Sequence, residues 1–452
     1  MSVGGNNELL QSSRAEVKNT VAYKRVISLV DEGSFVEIDT LAKSEEHFAE
    51  VITGFGLIDG CPTYVFAQNS DFAGGAMSKA QASKIKKVMN LAVKTGAPVI
   101  GIYDSVGAQL KQGADMLAAY GEMMLANNNL SGVVPQISLV LGPCIGTSAM
   151  IAASADIVVM SEQAELTLET SGQDSNAENA AKSGIAHIVA SSEEEAIRKV
   201  RELLPVLPTN NLAGAPITDE DVFDPAATLT STSSAKDMIA AIADANAFIE
   251  LSEQFGPAVI TGLAQMAAST VGMVAYSGKL DADACSKAAR FVRFCDAFSL
   301  PVISLVNAEG FECLRDATKL SNAYSEATTA KITIVTGEAY GPVYIALAGR
   351  GANSDITVAW PDAAISPLAP ATAAMFLWSD RLAGSSDPIA DRKKLIEEFK
   401  ETEASPFKAA ADGFVEDIIT PEETRDKVVS YLELLAGKRV STLPKKHGNI
   451  QL

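Results

Sequence analysis

"QISLVLGPCIGTSAMIA", Gln136 to Ala152, reads as an apolar strand, a glycine turn and a second apolar segment. The same grammar returns in "KITIVTGEAYGPVYIAL", Lys331 to Leu347, with a proline inside the turn. Gly142 maps to Gly337 and Gly146 to Gly341, and both pairs are 195 residues apart. The correspondence continues upstream. "KTGAPVIGIYDSVGAQLKQGADMLAAYGEMM" (Lys94–Met124) pairs with "AFSLPVISLVNAEGFECLRDATKLSNAYSEA" (Ala297–Ala327), each a helix end, Pro-Val-Ile, an apolar strand, a polar glycine turn and a helix. "SKAQASKIKKVMNLAV" (Ser78–Val93) pairs with "SKAARFVRFCDAF" (Ser286–Phe298). Register held across several elements marks a tandem duplication.

The boundary is expected in "LPTNNLAGAPITDEDVFDPAATLTSTSS", Leu207–Ser234, which is rich in Pro, Asn, Ser and Thr and has little apolar periodicity. Two domains, 1–220 and 221–452, suit a chain of 452 residues. Each half alternates strands with helices, so the class is α/β. Ala288, Phe291, Val292, Cys295 and Phe298 recur at three and four residues and predict one buried helix stripe. "TPEETRDKVVSYLELLAG" predicts a helix with Thr420 as N-cap, Pro421 at N1, Glu423 closing a capping box and Gly437 at the end.

Composition narrows the function. A formal charge of −20 argues against nucleic acid or an anionic membrane surface as a direct partner. Five cysteines (Cys61, Cys144, Cys285, Cys295, Cys313) show no CxxC spacing, which fits reduced thiols in a cytoplasm and gives no zinc site. The first residues lack an apolar h-region, so no signal peptide is expected. Residues 133–155 carry no charge, but Pro135, Gly142, Pro143 and Gly146 punctuate them as buried strand and helix rather than a membrane span.

A strand that enters a helix through a glycine turn leaves outward backbone N–H groups. Such groups can hold a developing negative charge, and an oxyanion hole of this kind needs no side-chain nucleophile. The plainer reading is that the glycines serve backbone geometry alone. Side-chain catalysts are scarce. His47 is in polar sequence, His187 reads as a packed or capping residue and His447 is in the tail; no GxSxG, HExxH or P-loop lysine is present. Glu162, Glu165, Glu169, Glu309 and Glu338 are acid–base candidates, with surface carboxylates the plainer reading.

The ordered set "RVISLVDEGSFVEID" (Arg25–Asp39), "SGVVPQISLVLGPCIG" (Ser131–Gly146), "SGIAHIV" (Ser183–Val189), "LPTNNL" (Leu207–Leu212), "SKAARFVRFCDAF", "DIITPEETR" (Asp417–Arg425) and "KKHGNI" (Lys445–Ile450) resembles the carboxyltransferase subunits of biotin-dependent acyl-CoA carboxylases and decarboxylases, the propionyl-CoA and methylmalonyl-CoA branch above all. The resemblance implies two tandem crotonase-like ββα-spiral domains, an acyl-CoA side first and a biotin side second. It implies a homo-oligomer, a hexamer, in which the first domain of one subunit faces the second of another. It implies transfer of a carboxyl group between carboxybiotin and a short acyl-CoA such as propionyl- or methylmalonyl-CoA. No Met-Lys-Met biotinylation signal is present, so the biotin is expected on a separate carrier protein. A biotin carboxylase or a membrane decarboxylase subunit would complete the complex, with no insertion of this chain into the membrane.

By the same resemblance, the acyl-CoA enolate hole maps to Gly146 and Thr147, and the hole for the biotin ureido oxygen to Pro342 and Val343 after Gly341. The thioester would lie near Gly74, Gly75, Gly107 and Ala108, where glycine lets a ligand approach the backbone. Tyr340, Pro342 and Ile345 would face biotin or the acyl group. No metal is implied. Several positions depart from the family: Thr147, Pro342 and Val343 replace small residues, Val106 a glycine, Gln109 an arginine, and the loop Asn307–Leu320 is shorter. Pro342 has no N–H, which leaves Gly341 as another donor candidate. Two alternatives remain open: a non-catalytic assembly subunit, and a crotonase-type hydratase or isomerase, which would need two facing glutamates near the first turn.

Overall fold

In the computed structural model the described residues are 3–43, 49–169, 176–217, 229–230, 233–350, 353–382, 385–441 and 443–449. His47 lies outside them, as does most of the stretch after residue 217 in which the boundary was expected. The chain divides into two compact units, Met1–Pro216 and Ile217–Leu452.

The first unit has one eight-stranded sheet: β1 (Val36–Glu37), β2 (Val51–Ile58), β3 (Cys61–Gln68), β4 (Val99–Ser105), β5 (Gln136–Ile145), β6 (Ile157–Ser161), β7 (Glu165–Thr167) and β8 (Ile188–Ala190). The order is β1-β2-β3-β4-β5-β6-β8, with β7 added beside the end of β5. The β2–β3 hairpin is antiparallel, and from β3 onward the pairs are parallel. The second unit repeats this with β9 (Phe248–Leu251), β10 (Val259–Met266), β11 (Ser269–Leu280), β12 (Val302–Phe311), β13 (Lys331–Tyr340), β14 (Ile356–Ala359), β15 (Ala364–Ser366) and β16 (Asp417–Ile418). Its order is β16-β14-β13-β12-β11-β10-β9, with β15 beside the end of β13. Central strands β4, β5, β12 and β13 are apolar and mostly buried, as parallel strands covered on both faces must be.

The duplication extends to polar detail. Each antiparallel hairpin turns through two residues at positive φ, Asp59–Gly60 and Ala267–Ala268. Asp31 accepts both turn N–H groups of the first, and Asp244 both of the second. An arginine from the C-terminal part of each unit binds that aspartate and a carbonyl two residues before it. Arg201 reaches Asp31 and Leu29 O, and Arg425 reaches Asp244 and Ile242 O. A buried lysine also recurs. Lys84 lies near Glu37 on β1, and Lys287 near Glu250 on β9. Lys84, not Lys79, is therefore the counterpart of Lys287.

The helix Ala282–Ala297 buries Ala288, Phe291, Val292 and Cys295, and Phe298 caps it from within the core. The C-terminal helix begins later than expected, at Thr424. The reciprocal capping-box bonds still form, Thr420 N–H to Glu423 Oε2 at 2.9 Å and Glu423 N–H to Thr420 Oγ1 at 3.4 Å. They close a turn ahead of the helix, in which Thr424 N–H bonds Pro421 O; the Thr424 hydroxyl also donates to Thr420 O and accepts Trp360 Nε1–H. Among the described residues, no helix is long and apolar enough to cross a membrane.

Candidate active site

At the first turn, β5 ends at Ile145 and Gly146 adopts φ 70°, ψ −134°, open to glycine alone. The Gly146 N–H donates to Thr167 O on β7 at 2.9 Å, and its carbonyl accepts Ala149 N–H at 3.0 Å. Gly146 thus supplies the bend. The N–H groups of Thr147 and Ser148, the first two residues of the helix Thr147–Ala153, have no carbonyl one turn back to receive them. These adjacent donors can stabilise an oxyanion. Ser148 was not singled out in the sequence, where it reads as an ordinary small helix residue.

Gly74, Gly75, Gly107 and Ala108 are brought together beside this turn. Val106 N–H donates to Gly74 O at 3.0 Å, and Met77 N–H to Gly107 O at 2.7 Å. Met77 and Ala108 form a bridge, and Ser105 pairs with Cys144, two residues before Gly146. The glycines differ in purpose. A Cβ at Gly75 would collide with the Asp104 carbonyl, and one at Gly74 would lie 3.1 Å from Val106 Cγ2. Gly107 and Gly146 have nothing within 4 Å of that position, so a ligand can approach the chain there.

Asp104 anchors the cluster. Its carboxylate fills the space a side chain at Gly142 would need. It accepts Arg25 Nη1–H at 2.6 Å and Ser70 Oγ–H at 2.7 Å, while Arg25 also grips Glu193 through Nε and Nη2. The guanidinium is buried, and its two carboxylate partners outweigh the burial and hold its pKa above the ordinary value. Gln109 donates Nε2–H to Glu50 Oε1 at 3.1 Å and to Ala76 O at 3.2 Å. Glu50 is itself buried and also accepts Ser78 Oγ–H.

The second turn has the same frame. A Cβ at Gly337 would fall on the Asn307 side chain, as Gly142 does on Asp104. Gly341 has φ 45°, and its N–H donates to Ser366 O on β15 at 2.9 Å. That donor is taken up within the unit, as at Gly146. Pro342 is exposed and opens the helix, where its missing N–H and fixed φ are tolerated. Val343 is buried, and Ile345 N–H returns to Gly341 O at 3.1 Å. The main-chain donors left at this turn are Val343 and Tyr344.

A π-turn follows, Tyr344–Ala348. Its freed carbonyls are met by side chains: Asn353 Nδ2 donates to Ile345 O and Ala346 O, Thr333 Oγ1 to Leu347 O, and Thr357 Oγ1 to Ala348 O. Such single turns occur often at functional sites. Ile345, 61% exposed, lines a cavity of about 480 Å³ with Gly341, Tyr344, Leu377, Phe399 and Phe414. Tyr340, the last residue of β13, is buried, and burial followed by Glu338 and Glu309 pushes its phenol well above the usual value. The connection from β12 to the helix Leu314–Glu326 is only Glu312–Cys313, whereas β4 reaches its helix, Asp115–Leu130, through residues 106–114.

Of the remaining candidates, Glu309 and Glu338 lie close enough to Tyr340 to raise its pKa, and the others stay apart from these turns or on the surface. His187 Nδ1 accepts Val158 N–H at 3.1 Å, a packed role, and His447 is exposed. Glu162, Glu165, Glu169 and Glu309 are exposed and Glu338 is half-buried. Among the described residues no cluster of His, Cys, Asp and Glu could hold a metal.

The chain matches the family model described as "Carboxyl transferase domain" over residues 14–450. It is 36% identical to the methylmalonyl-CoA decarboxylase subunit alpha of Veillonella parvula, covering 99% of this chain and 96% of that protein. It is 36% identical to the propionyl-CoA carboxylase beta chain of Saccharopolyspora erythraea, covering 99% and 93%. The first alignment runs over 499 positions, more than this chain's 452 residues, so that relative has segments this chain lacks. The crystal structure of transcarboxylase 12S, solved with hydrolysed methylmalonyl-coenzyme A bound and described as a hexamer assembly, superposes with a TM-score of 0.92 at 31% identity. The match covers 100% of this chain and 99% of that one.

Proposed function

The chain belongs to the carboxyl transferase family, and from that membership we propose how its two turns divide the work. The protein is a carboxyltransferase of the biotin-dependent propionyl-CoA carboxylase and methylmalonyl-CoA decarboxylase type. Its fold is the two-domain crotonase-like one. Its substrates are a CoA thioester and biotin. The observation that carries the assignment of sites is the pair of equivalent glycine turns, each ending a buried central strand and each leaving main-chain donors after the glycine.

Moving a carboxyl group onto or off the carbon beside a thioester carbonyl places negative charge on the thioester oxygen. Thr147 and Ser148 N–H groups are the donors for that charge, and Gly146 and Gly107 leave the space for the thioester to reach them. Gly74, Gly75 and Ala108 shape the loop beside it. Biotin, when bound, supplies the nitrogen that carries the carboxyl group. The second turn fits its ureido oxygen with donors set one residue later than those of the first turn, because Pro342 has none. Val343 and Tyr344 N–H are the groups that would hold it, with Tyr340 and Ile345 bordering the position. A carrier protein brings the biotin, a biotin carboxylase or membrane subunit completes the complex, and the chain works as a homo-oligomer, a hexamer, in the cytoplasm.

Purified protein given methylmalonyl-CoA should lose the substrate's carboxyl group only when free or carrier-bound biotin is present. Loss that is independent of biotin, or none at all, counts against the reading. A non-catalytic assembly subunit is the second reading, and one observation favours it, the absence of a donor at Pro342.

A further inference from the structure

The helix Thr147–Ala153 is only two turns long, yet its first residues must hold their N–H groups in place. It is tied at both ends to the helix Asp115–Leu130. Tyr120 Oη and Ser148 Oγ are 3.0 Å apart and both residues are buried. One heptad further along, Asn127 Nδ2 donates to Ser154 Oγ at 2.8 Å, and Ser154 Oγ donates in turn to Ile151 O. Ser148 is itself the second donor residue of the first turn. The hydroxyl bond therefore joins a sixteen-residue helix directly to the second donor residue of the first turn.

The second unit shows what this contact is not required for. The counterpart of Tyr120 is Tyr324, on the helix Leu314–Glu326, and it is also fully buried. The residue in the place of Ser148 is Val343, whose side chain cannot accept or donate. Tyr324 Oη instead meets Ser304 Oγ at 2.7 Å and Tyr276 Oη at 2.8 Å, both inside the sheet and neither at a turn. A buried tyrosine hydroxyl in this place can be satisfied without touching the turn. In the first unit it is satisfied by the turn itself.

We propose that Tyr120 and Ser148 form a positioning pair that fixes the Thr147 and Ser148 N–H groups for the thioester oxygen. The proposal rests on the assignment of the first turn as the acyl-CoA hole. Neither side chain touches the substrate. Loosening the contact lets the donor turn shift, and small displacements of this kind lower the rate more than the affinity.

The test uses Tyr120→Phe, Ser148→Ala, the double variant, and Tyr324→Phe as a buried-tyrosine control. Biotin-dependent carboxyl loss from methylmalonyl-CoA is read as kcat and KM. Each single variant should lose on the order of tenfold in kcat with a much smaller change in KM. The double variant should be no worse than the poorer single, since one contact cannot be lost twice. Tyr324→Phe should keep its kcat while losing some thermal stability. Hydrogen exchange in the segment 142–153 reports on the turn separately. It should speed up in Tyr120→Phe and Ser148→Ala and stay unchanged in Tyr324→Phe. Wild-type kcat in both single variants, full additivity in the double, or unchanged exchange in 142–153 each overturns the proposal. A wild-type protein with no biotin-dependent activity counts against the assigned function, and exchange then decides the pair alone.

Discussion

Arg425 Nη2 lies 2.6 Å from Asp244 Oδ1, and both side chains are buried, at 8% and 4% exposure. The pair clamps the β10–β11 turn, because Asp244 also accepts the Ala267 and Ala268 N–H groups. The same clamp in the first unit, Arg201 with Asp31, is 28% and 29% exposed. Arg425→Met leaves a buried carboxylate without its charge partner and should cost about 3–5 kcal/mol. Arg201→Met should cost about 1 kcal/mol or less, because water screens the pair. Urea unfolding of the two variants measures the contrast. Equal losses would mean that burial does not set the value of this repeated contact.

Lys287 gives the second unit a pH dependence. Burial, against the pull of Glu250 and Glu253 and with some repulsion from Lys236, lowers its pKa to about 8. An unfolded lysine titrates at about 10.4. Below pH 8 both states hold the proton, and the folded state bears the full cost of burying the charge. Between about 8 and ~10.4 the unfolded state binds more protons, so this group's contribution to stability rises with pH. Above that range there is no further gain. Lys287→Met should therefore be more stable than the parent at pH 7, with the difference closing by on the order of 3 kcal/mol as pH rises through the window. Denaturation midpoints from pH 7 to 10.5 test the sign; a gap that widens with pH contradicts it.

Pro342 withholds a donor from the second turn. Pro342→Gly restores an N–H, and one well-placed donor is worth about 3 kcal/mol to a transition state. The added backbone freedom costs about 1 kcal/mol. Carboxyl transfer to carrier-bound biotin should rise, on the order of tenfold. A clear fall would mean that the proline shapes this turn for its ligand.

The sequence made the architecture readable because its signals are local. Apolar runs bounded by Gly142, Gly146, Gly337 and Gly341 marked the central strands and the turns that follow them, and the stripe on Ala282–Ala297 marked a helix. What the letters do not show depends on contacts between distant residues. Arg425 gives no hint that it will find Asp244 and Ile242 O, 181 and 183 residues away. The difference between Gly75, packed on Asp104, and Gly107, open to a ligand, is likewise invisible in the letters. Ser148, a serine in a small-residue helix, carries no periodic signal, and only its position after Gly146–Thr147 marks it. The π-turn at Tyr344–Ala348 depends on side chains from Thr333, Asn353 and Thr357 and has no local signature.

If the first turn handles the thioester in a carboxyl transfer to biotin, methylmalonyl-CoA labelled with carbon-13 in its free carboxyl group will pass its label to biotin. The parent protein and Gly146→Val are each given labelled thioester and biotin, and label on biotin is followed by mass spectrometry. Gly146 sits at a φ and ψ that valine resists, so the substitution distorts the turn while the sheet beneath it remains. Thermal unfolding and circular dichroism check that the variant is folded. Label should appear on biotin with the parent and be absent with the folded variant. Equal labelling by the variant would mean that the thioester is held elsewhere, and none by the parent would mean that the protein does not transfer the carboxyl group to biotin.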